Sequence, residues 1–573
     1  MDNATIAKTL NDIAELLELK GDSTFKMRAY QRAAHIIDSL NIPLERLMAD
    51  DRLREVPGVG ESIAQKIQEL IETGGLAYYD DLRRQFPEGV TALIHIPGIG
   101  PKTALKLASA LSIKSVDELE QAIADGRVAK LPRMGEKLVD NIRRQLGVAR
   151  TKERRIPLGV ALPIVEEIVE SLQRLPGLRN ITPAGSLRRF AETIGDIDLM
   201  GTADDPPSIL RAFCDLPQAR MVLSCGTTKA SVIVAGSLQV DLRLVDHESF
   251  GSLLQYFTGS KDHNVQLRTR ALKKGLSLSE YGITNVKTGV LEKFATEEKF
   301  YARLGMQHIP PEMREARGEI ELAEQFSLPA LLEAGHIKGD LHVHTKESDG
   351  NASLADMVEK ARAMGYEYIA LTEHSSGRGV ARGLTEERLR AYIAQIAEIQ
   401  RQYADIRLLT GTEVDIRADG TLDYADDLLA ELDIVVASVH SSMHQDKDSM
   451  TARVLRALRN PHVDVLGHPT GRLIGQREPI ALDLEAVFRE AARTGTALEI
   501  NAMADRLDLR DVHVSRAREL GVRFVIATDA HSPGQMEFMR LGVAVARRAW
   551  CTPEHILNTR PAEELVHAIR RAA

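Results

Sequence analysis

Cysteine is scarce in this chain. Three residues, Cys214, Cys225 and Cys551, are scattered through 573 positions, which excludes a disulfide framework and a four-thiolate zinc site and suits a reducing cytoplasm. Long apolar runs are missing too. None approaches the roughly 18 residues that a membrane span requires, so no membrane partner is expected. Met1 to Leu10 lack the apolar core of a secretory leader. An excess of basic charge is also absent. The net charge of −9 argues at first against a nucleic-acid partner, because phosphate neutralisation usually draws on basic surface. Two facts weaken that objection. Carboxylates gathered to hold metal ions add negative charge without repelling DNA once the metals are bound, and the first 335 residues are close to neutral.

What is present is an ordinary globular composition, 44% hydrophobic and 27% charged, in a chain long enough for three or four domains. Residues 1–76 read as helices: Ile6, Leu10, Ile13, Leu16 and Leu17 recur at helical spacing, as do Ala29, Ala33, Ile36, Ile37 and Leu40. A repeat follows. Val56-Pro57-Gly58-Val59-Gly60 precedes one helical stretch, Ile96-Pro97-Gly98-Ile99-Gly100 precedes a second in the region 77–150, and Leu131-Pro132-Arg133-Met134-Gly135 is an eroded third copy. Residues 151–245 and 246–310 mix short strands with helices. Residues 311–336, with Pro310-Pro311 at their start, mixed charges and Gly335 near their end, suit a linker. From 337 to 573 apolar strands such as Tyr368–Leu371 and Phe524–Ala527 alternate with helical stretches, the pattern of a β/α barrel or doubly wound domain.

The Pro-Gly-x-Gly turns have a physical use. Gly58 and Gly60, and again Gly98 and Gly100, let the backbone turn tightly, and the free N–H groups of the following helix can hold a DNA phosphate. Such contacts position DNA without reading sequence. Further on, Gly185-Ser186-Leu187-Arg188-Arg189 is followed by Gly195-Asp196-Ile197-Asp198-Leu199. In a strand, Asp196 and Asp198 share one face while Ile197 and Leu199 face the core. Asp241 alternates in the same way against Val240 and Leu242. Three such carboxylates can hold two magnesium ions about 3.5–4 Å apart, which activates a 3′-hydroxyl and neutralises a leaving pyrophosphate.

On these residues, and on Val240-Asp241-Leu242-Arg243-Leu244 followed by Tyr256-Phe257-Thr258-Gly259-Ser260, residues 1 to about 310 resemble a family X DNA polymerase of the polymerase beta type. The resemblance implies helix-hairpin-helix domains at residues 1–76 and 77–150, then an α+β nucleotidyltransferase palm and a nucleotide-binding subdomain. It implies that Asp196, Asp198 and Asp241 bind two Mg²⁺ (or Mn²⁺), and that Ser186, Arg189 and Gly195 contact the triphosphate. Tyr256 and Phe257, with Gly259 close by, would pack against the sugar and disfavour a ribose 2′-hydroxyl. Asn264 and Arg268 would face the minor groove of the new base pair, and their i, i+4 spacing puts both on one helix face. There are departures. Leu158 stands where animal members have a further arginine, and Lys261 replaces an aspartate near the nucleotide. Lys66 matches the family's Schiff-base lysine, with Lys26 and Tyr30 at phosphate-contacting positions, but Ser62 replaces a supporting lysine and Phe25 a histidine. An ordinary exposed helix lysine is therefore the reading taken for Lys66.

Twelve of the 17 histidines lie at or after His336. Asp340-Leu341-His342-Val343-His344 reads as a strand with both imidazoles on one face. Asp349, His374, Glu413, His440, His468, Asp529 and His531 follow, several just after apolar strands, where a β/α barrel carries its catalytic residues. Imidazoles and carboxylates without thiolates suit Zn²⁺ or Mn²⁺ in an open site. On these motifs residues 337–573 resemble a PHP (polymerase and histidinol phosphatase) domain, and the nine residues match its metal-ligand positions. That implies a distorted seven-stranded barrel, up to three Zn²⁺ or Mn²⁺, and attack of metal-activated water on a phosphodiester. Arg472 and Ser441-Ser442 are candidates to hold the substrate phosphate.

A PHP domain joined to a family X polymerase is an arrangement found in bacterial members of that family. The expected activity is DNA-directed DNA polymerisation that fills short gaps in base-excision repair or end joining. A 3′→5′ exonuclease or related 3′-end processing would come from the PHP domain, and AP endonuclease activity is compatible with the same attack. The expected partners are gapped or primer-template DNA and dNTPs, the expected state a monomer, and the expected place the cytoplasm at the nucleoid. Two rivals stand beside this reading: a DNA-binding scaffold with structural metal, and a small-molecule phosphatase fused to a polymerase.

Overall fold

The N-terminal helical periodicity is realised in the computed structural model, which describes residues 3–38, 44–49, 52–56, 58–87, 90, 93, 101–128, 130–131, 155–235, 238–377 and 381–569. The chain forms two compact units, residues 1–154 and 155–573. In the first, helices Asn3–Lys20 and Thr24–Asp38 pack together, with Ile6, Leu10, Ile13, Leu17, Ala33 and Ile37 in one buried cluster. Gly58 has φ 87°, a left-handed conformation that glycine adopts without cost. Gly60 then caps helix Glu61–Thr73. Among the described residues no heavy atom lies within 4 Å of where a Gly60 side chain would begin. The turn holding Gly98 and Gly100, and the third copy beyond Leu131, lie outside the described residues.

In the second unit a five-stranded sheet comes first. Its strands are β1 (Leu178–Pro183), β2 (Ile197–Ala203), β3 (Met221–Cys225), β4 (Lys229–Ile233) and β5 (Gln239–Val245). The spatial order is β1-β2-β5-β4-β3, with β2 and β5 parallel and the other pairs antiparallel. Ile197, Leu199, Val240 and Leu242 are buried in a cluster with Leu158, Ile168 and Phe213 from the helices Leu158–Gln173 and Pro206–Cys214. Asp198 and Asp241 therefore lie on the opposite face, as the period-two pattern predicts, where Met200 is buried against Phe250 and Leu253.

Next come helices Phe250–Thr258 and Lys261–Lys273 and a small antiparallel sheet of β6 (Leu276–Ser279), β7 (Gly282–Asn285) and β8 (Leu291–Glu292). The stretch expected as a linker, 311–336, is not one. It forms short helices at Pro311–Met313 and Glu319–Glu324, and Met313, Ile320, Ala323 and Leu331 are buried with Leu267, Phe300 and Tyr301. Its mixed charges are spent on buried pairs such as Arg314–Glu297 at 2.7 Å, which a composition reading takes for a solvated segment.

The rest is a barrel of seven parallel strands in sequential order: β9 (Gly339–Val343), β10 (Tyr368–Leu371), β11 (Arg407–Asp415), β12 (Ile434–Ser438), β13 (Val465–Leu466), β14 (Ala497–Asn501) and β15 (Phe524–Ala527). A parallel bridge from Val343 to Ala530 brings its two ends together. Leu409, Val436, Ala497 and Val525 share one cluster, whereas Leu408, Val435, Leu498 and Ile526 belong to another. The strands are thus apolar on both faces, as parallel strands covered by helices must be. The barrel packs closely on the sheet domain: a side chain at Gly159 would begin 2.2 Å from the Ala504 methyl.

Candidate active sites

The first site lies on the face of β2 and β5 turned away from the cluster that holds Leu158 and Phe213. Asp198 and Asp241 are direct register partners on these parallel strands, and exposed Asp196 immediately precedes β2. Burial, then the charges of Asp196 and Asp241, push the Asp198 carboxyl up to about 7. Crowded carboxylates of this kind call for cations between them, so the donor set fits divalent metal. Burial also works to raise Asp241, but hydrogen bonds from Gln239, Lys229 and Ser231 outweigh it and hold that carboxyl below its usual range. Lys229 Nζ stands 2.7 Å from Asp241 Oδ2, a partner the sequence reading missed although it lies on the neighbouring strand. Gly185 approaches so closely that a side chain there would begin 2.8 Å from Asp198 Oδ2.

Several of the residues expected to meet a nucleotide make contacts with one another. Ser186 opens the short helix Gly185–Arg188. Arg189 donates from Nη1 to the Thr258 carbonyl at 2.6 Å and from Nε to Glu315 Oε1 at 3.0 Å. Gly195 leaves room for Arg155, whose Nη1 would lie 3.3 Å from a side chain at that position. Gly259 lies against the Arg189 guanidinium in the same way, at 3.2 Å. Tyr256 and Phe257 meet edge to face with ring centroids 5.3 Å apart, and the Arg268 and Arg243 guanidinium groups lie over their respective rings. Asn264 donates to the Tyr256 carbonyl at 2.7 Å, and Lys261 is exposed at the start of its helix. In the other unit Lys66 is not the freely exposed lysine expected. Its Nζ donates to the carbonyl and hydroxyl of Ser62 and lies 4.9 Å from the Tyr78 ring centre. Burial, then nearby Lys26, push its ammonium below the usual range.

The second site gathers all nine histidines and carboxylates at the C-terminal ends of the barrel strands. Three sets have donor atoms close enough to hold one ion each: His344, Asp349, His374 and His531; His342, His344 and Asp529; and His374, Glu413 and His440. His468 completes the cluster, with Nε2 2.8 Å from Glu413 Oε1. Among the described residues both ring nitrogens of His344 are buried without a hydrogen-bond partner, an arrangement that costs free energy unless something else ligates them. Burial, then neighbouring His374, push this imidazole down to about 3, which keeps it in the neutral, metal-binding form. Burial works against the charge of Glu413, yet His440, His374 and His342 hold its carboxyl well below the ordinary range. Asp529 (φ 52°) and His468 (φ 23°) take left-handed backbone conformations, a form of strain that clusters at functional sites.

Three further groups escaped the sequence reading. Glu499 Oε1 lies 2.7 Å from His342 Nδ1, and Asp415 Oδ1 2.6 Å from His440 Nδ1. Each stands where a carboxylate would orient a metal-binding imidazole. Arg506 is the third, with Nε 3.4 Å from Asp529 Oδ2. The phosphate role considered for Arg472 does not fit. Its guanidinium donates to the carbonyls of Arg506 and Leu507 and pairs with Glu192 at 2.8 Å, so it clamps the loop that carries Arg506.

A sheet edged with paired carboxylates, joined to a parallel barrel with a histidine-carboxylate cluster, defines a nucleotidyltransferase fused to a phosphoesterase. Residues 253–315 match the DNA polymerase beta thumb family and residues 340–503 the PHP domain family. Residues 1–76 match a helix-hairpin-helix domain and residues 90–147 a SAM-like helix-hairpin-helix tandem. The DNA polymerase/3′-5′ exonuclease PolX of Bacillus subtilis (strain 168) is 39% identical over 573 residues, covering 100% of both chains. The chain belongs to the PolX family. Its barrel half is also similar to proteins named probable phosphatase, 27% identical over 232 residues in Thermoanaerobacter sp. (strain X514) and 26% over 242 residues in Shewanella sediminis (strain HAW-EB3). These matches take in 38% and 40% of this chain and 89% and 94% of those proteins.

Proposed function

We infer that the protein is a DNA-directed DNA polymerase that fills short gaps during repair, with a 3′→5′ exonuclease or related 3′-end processing activity in its barrel. The observation that carries this reading is the register pairing of Asp198 with Asp241 in the same chain as the nine-residue histidine-carboxylate cluster. In this reading Asp196, Asp198 and Asp241 hold two Mg²⁺ or Mn²⁺, and the nine barrel residues hold up to three Zn²⁺ or Mn²⁺. Bound there, such ions would supply charge neutralisation for the attacking and leaving oxygens at each phosphorus. The chain's own groups do the rest. Ser186, Arg189 and Gly195 bind the triphosphate, while Gly259 and Lys261 border it. Asn264 and Arg268 read the minor-groove edge of the new pair. Gly58 and Gly60, with Gly98 and Gly100, expose N–H groups to the DNA backbone. Lys66, whose ammonium is pushed below its usual range by burial and by Lys26, is the candidate lyase nucleophile, a role that a lowered lysine pKa favours. Monomeric action in the cytoplasm at the nucleoid completes the proposal; among the described residues no helix is long and apolar enough to cross a membrane.

A labelled primer on gapped DNA with Mg²⁺ or Mn²⁺ tests it. Extension is expected with dNTPs and shortening without them; if neither occurs, the reading is wrong. The likeness of the barrel to probable phosphatases favours a second, narrower use of the same site, removal of a terminal phosphate. Inorganic phosphate released from a 3′-phosphorylated primer, compared with release from histidinol phosphate, separates end processing from small-molecule hydrolysis.

The Tyr256-Phe257 segment is expected to select the sugar. Incorporation of dNTPs on a gapped template should exceed that of rNTPs by roughly 10–100-fold in kcat/KM, the range reached by rejecting one small group. Equal efficiencies would remove this segment's role as a steric gate.

A further inference from the structure

The nucleotide site does not end at the polymerase half. Arg548 closes the barrel helix Met539–Arg548, and its side chain is 10% exposed. From Nη1 it donates to the main-chain carbonyl of Arg189 at 2.7 Å and to Glu315 Oε1 at 2.8 Å. The same Glu315 oxygen accepts from Arg189 Nε at 3.0 Å. On its other side Arg548 pairs with Asp511 at 3.0 Å, and Asp511 pairs with Arg317 at 3.1 Å. Five charges of alternating sign therefore run from Arg189 into the barrel.

We propose that Arg548 is a positioning residue for nucleotide binding: through Glu315 and the Arg189 carbonyl, the nuclease domain aims the Arg189 guanidinium at the incoming triphosphate. The proposal rests on the assignment of Arg189 to the triphosphate. Nε of Arg189 is taken by Glu315 and Nη1 by the Thr258 carbonyl, while Nη2 makes no hydrogen bond among the described residues. The fork is thus held by two of its nitrogens and offers the third. Glu315 alone, half-buried and anionic, would draw Arg189 wholly to itself and cancel its charge. Arg548 gives that carboxylate a second cation, so the chain keeps a net positive charge at the nucleotide end. In a poorly solvated setting such charge-assisted bonds are strong and mutually dependent. A small misplacement of a substrate-orienting arginine is costly.

The partners of Arg548 are Arg189, Glu315 and Asp511, none of them among the nine residues of the barrel's metal cluster, so exonuclease activity is the internal control. Arg548→Lys keeps the charge but loses the fork, and Glu315→Gln keeps the shape but loses the charge. Each is expected to raise the KM for dNTP by about tenfold, as loss of one charge-assisted contact does. The kcat for extension and the rate of exonuclease should stay within about twofold, the margin for an unaffected step. In an Arg189→Ala background neither change should have any further effect on KM, because residues that act through one group are not additive. If Arg189→Ala leaves the KM unchanged, the triphosphate assignment of Arg189 fails. If it raises the KM while Arg548→Lys and Glu315→Gln do not, or if their effects add to it, the positioning role alone is overturned. Equal losses of exonuclease and thermal stability in both variants would mark the charge chain as structural only and overturn it as well.

Discussion

Asp241→Ala should cut primer extension on gapped DNA by about 10³-fold or more, while the same preparation still shortens the primer when dNTPs are withheld. Asp241 belongs to a crowded carboxylate set: it is the register partner of Asp198, and its charge is among the causes that push the Asp198 carboxyl up to about 7, after burial and Asp196. Removing it takes away a candidate ligand and leaves Lys229, now paired with it at 2.7 Å, as a misplaced cation beside the remaining aspartates. Metal ions in such a site supply several kcal/mol of charge stabilisation, and each ~1.4 kcal/mol is a factor of ten. Asp196→Ala should behave alike. The exonuclease is spared because none of its nine candidate ligands lies on β2 or β5. The check is initial rates of extension and shortening on one preparation, with circular dichroism to confirm folding. Extension at near wild-type rate in either variant would sink the assignment.

The parts of these sites that were legible share one property: their signal is local. Asp198 and Asp241 sit in strands whose apolar residues alternate with them, so Ile197, Leu199, Val240 and Leu242 announce which way the carboxylates face. His374, His440 and Asp529 each come shortly after a buried apolar strand, which fixes the end of the barrel they occupy. What was missed depends on partners distant in sequence. Glu499 serves a histidine 157 residues away, and its one local sign was a charge among the apolar residues of β14. Asp415, two places beyond Glu413, could have been found from that spacing, since both face the same way on β11. The segment 311–336 looked solvated because its charges pair only after folding, Arg314 with Glu297 and Glu315 with Arg189. Arg472 offered the right charge near the right histidine, but no sequence pattern says that its guanidinium is already spent on two carbonyls and Glu192.

His344→Ala should reduce exonuclease activity by at least about 10³-fold and lower the metal content of the purified protein, while primer extension continues. His344 is the right residue to remove because it stands in two of the three donor sets, with Asp349, His374 and His531 and with His342 and Asp529. Its loss would therefore remove a donor from two candidate ion positions at once. Its imidazole is stacked between those of His374 and His531, with ring centroids 4.4 Å away on each side, so its removal also frees the two neighbouring ligands to turn. Damage to groups that merely orient a ligand typically costs about 10–100-fold; removal of a shared ligand must exceed that. Glu499→Gln, which acts on His342 from behind, supplies the comparison and should fall within the smaller range. The polymerase aspartates share no residue with this cluster, which is why extension should persist. Metal content, extension and shortening measured on the same preparation decide the matter. Shortening that survives His344→Ala undiminished but disappears in Asp241→Ala would move the nuclease to the polymerase half and end the case for the barrel.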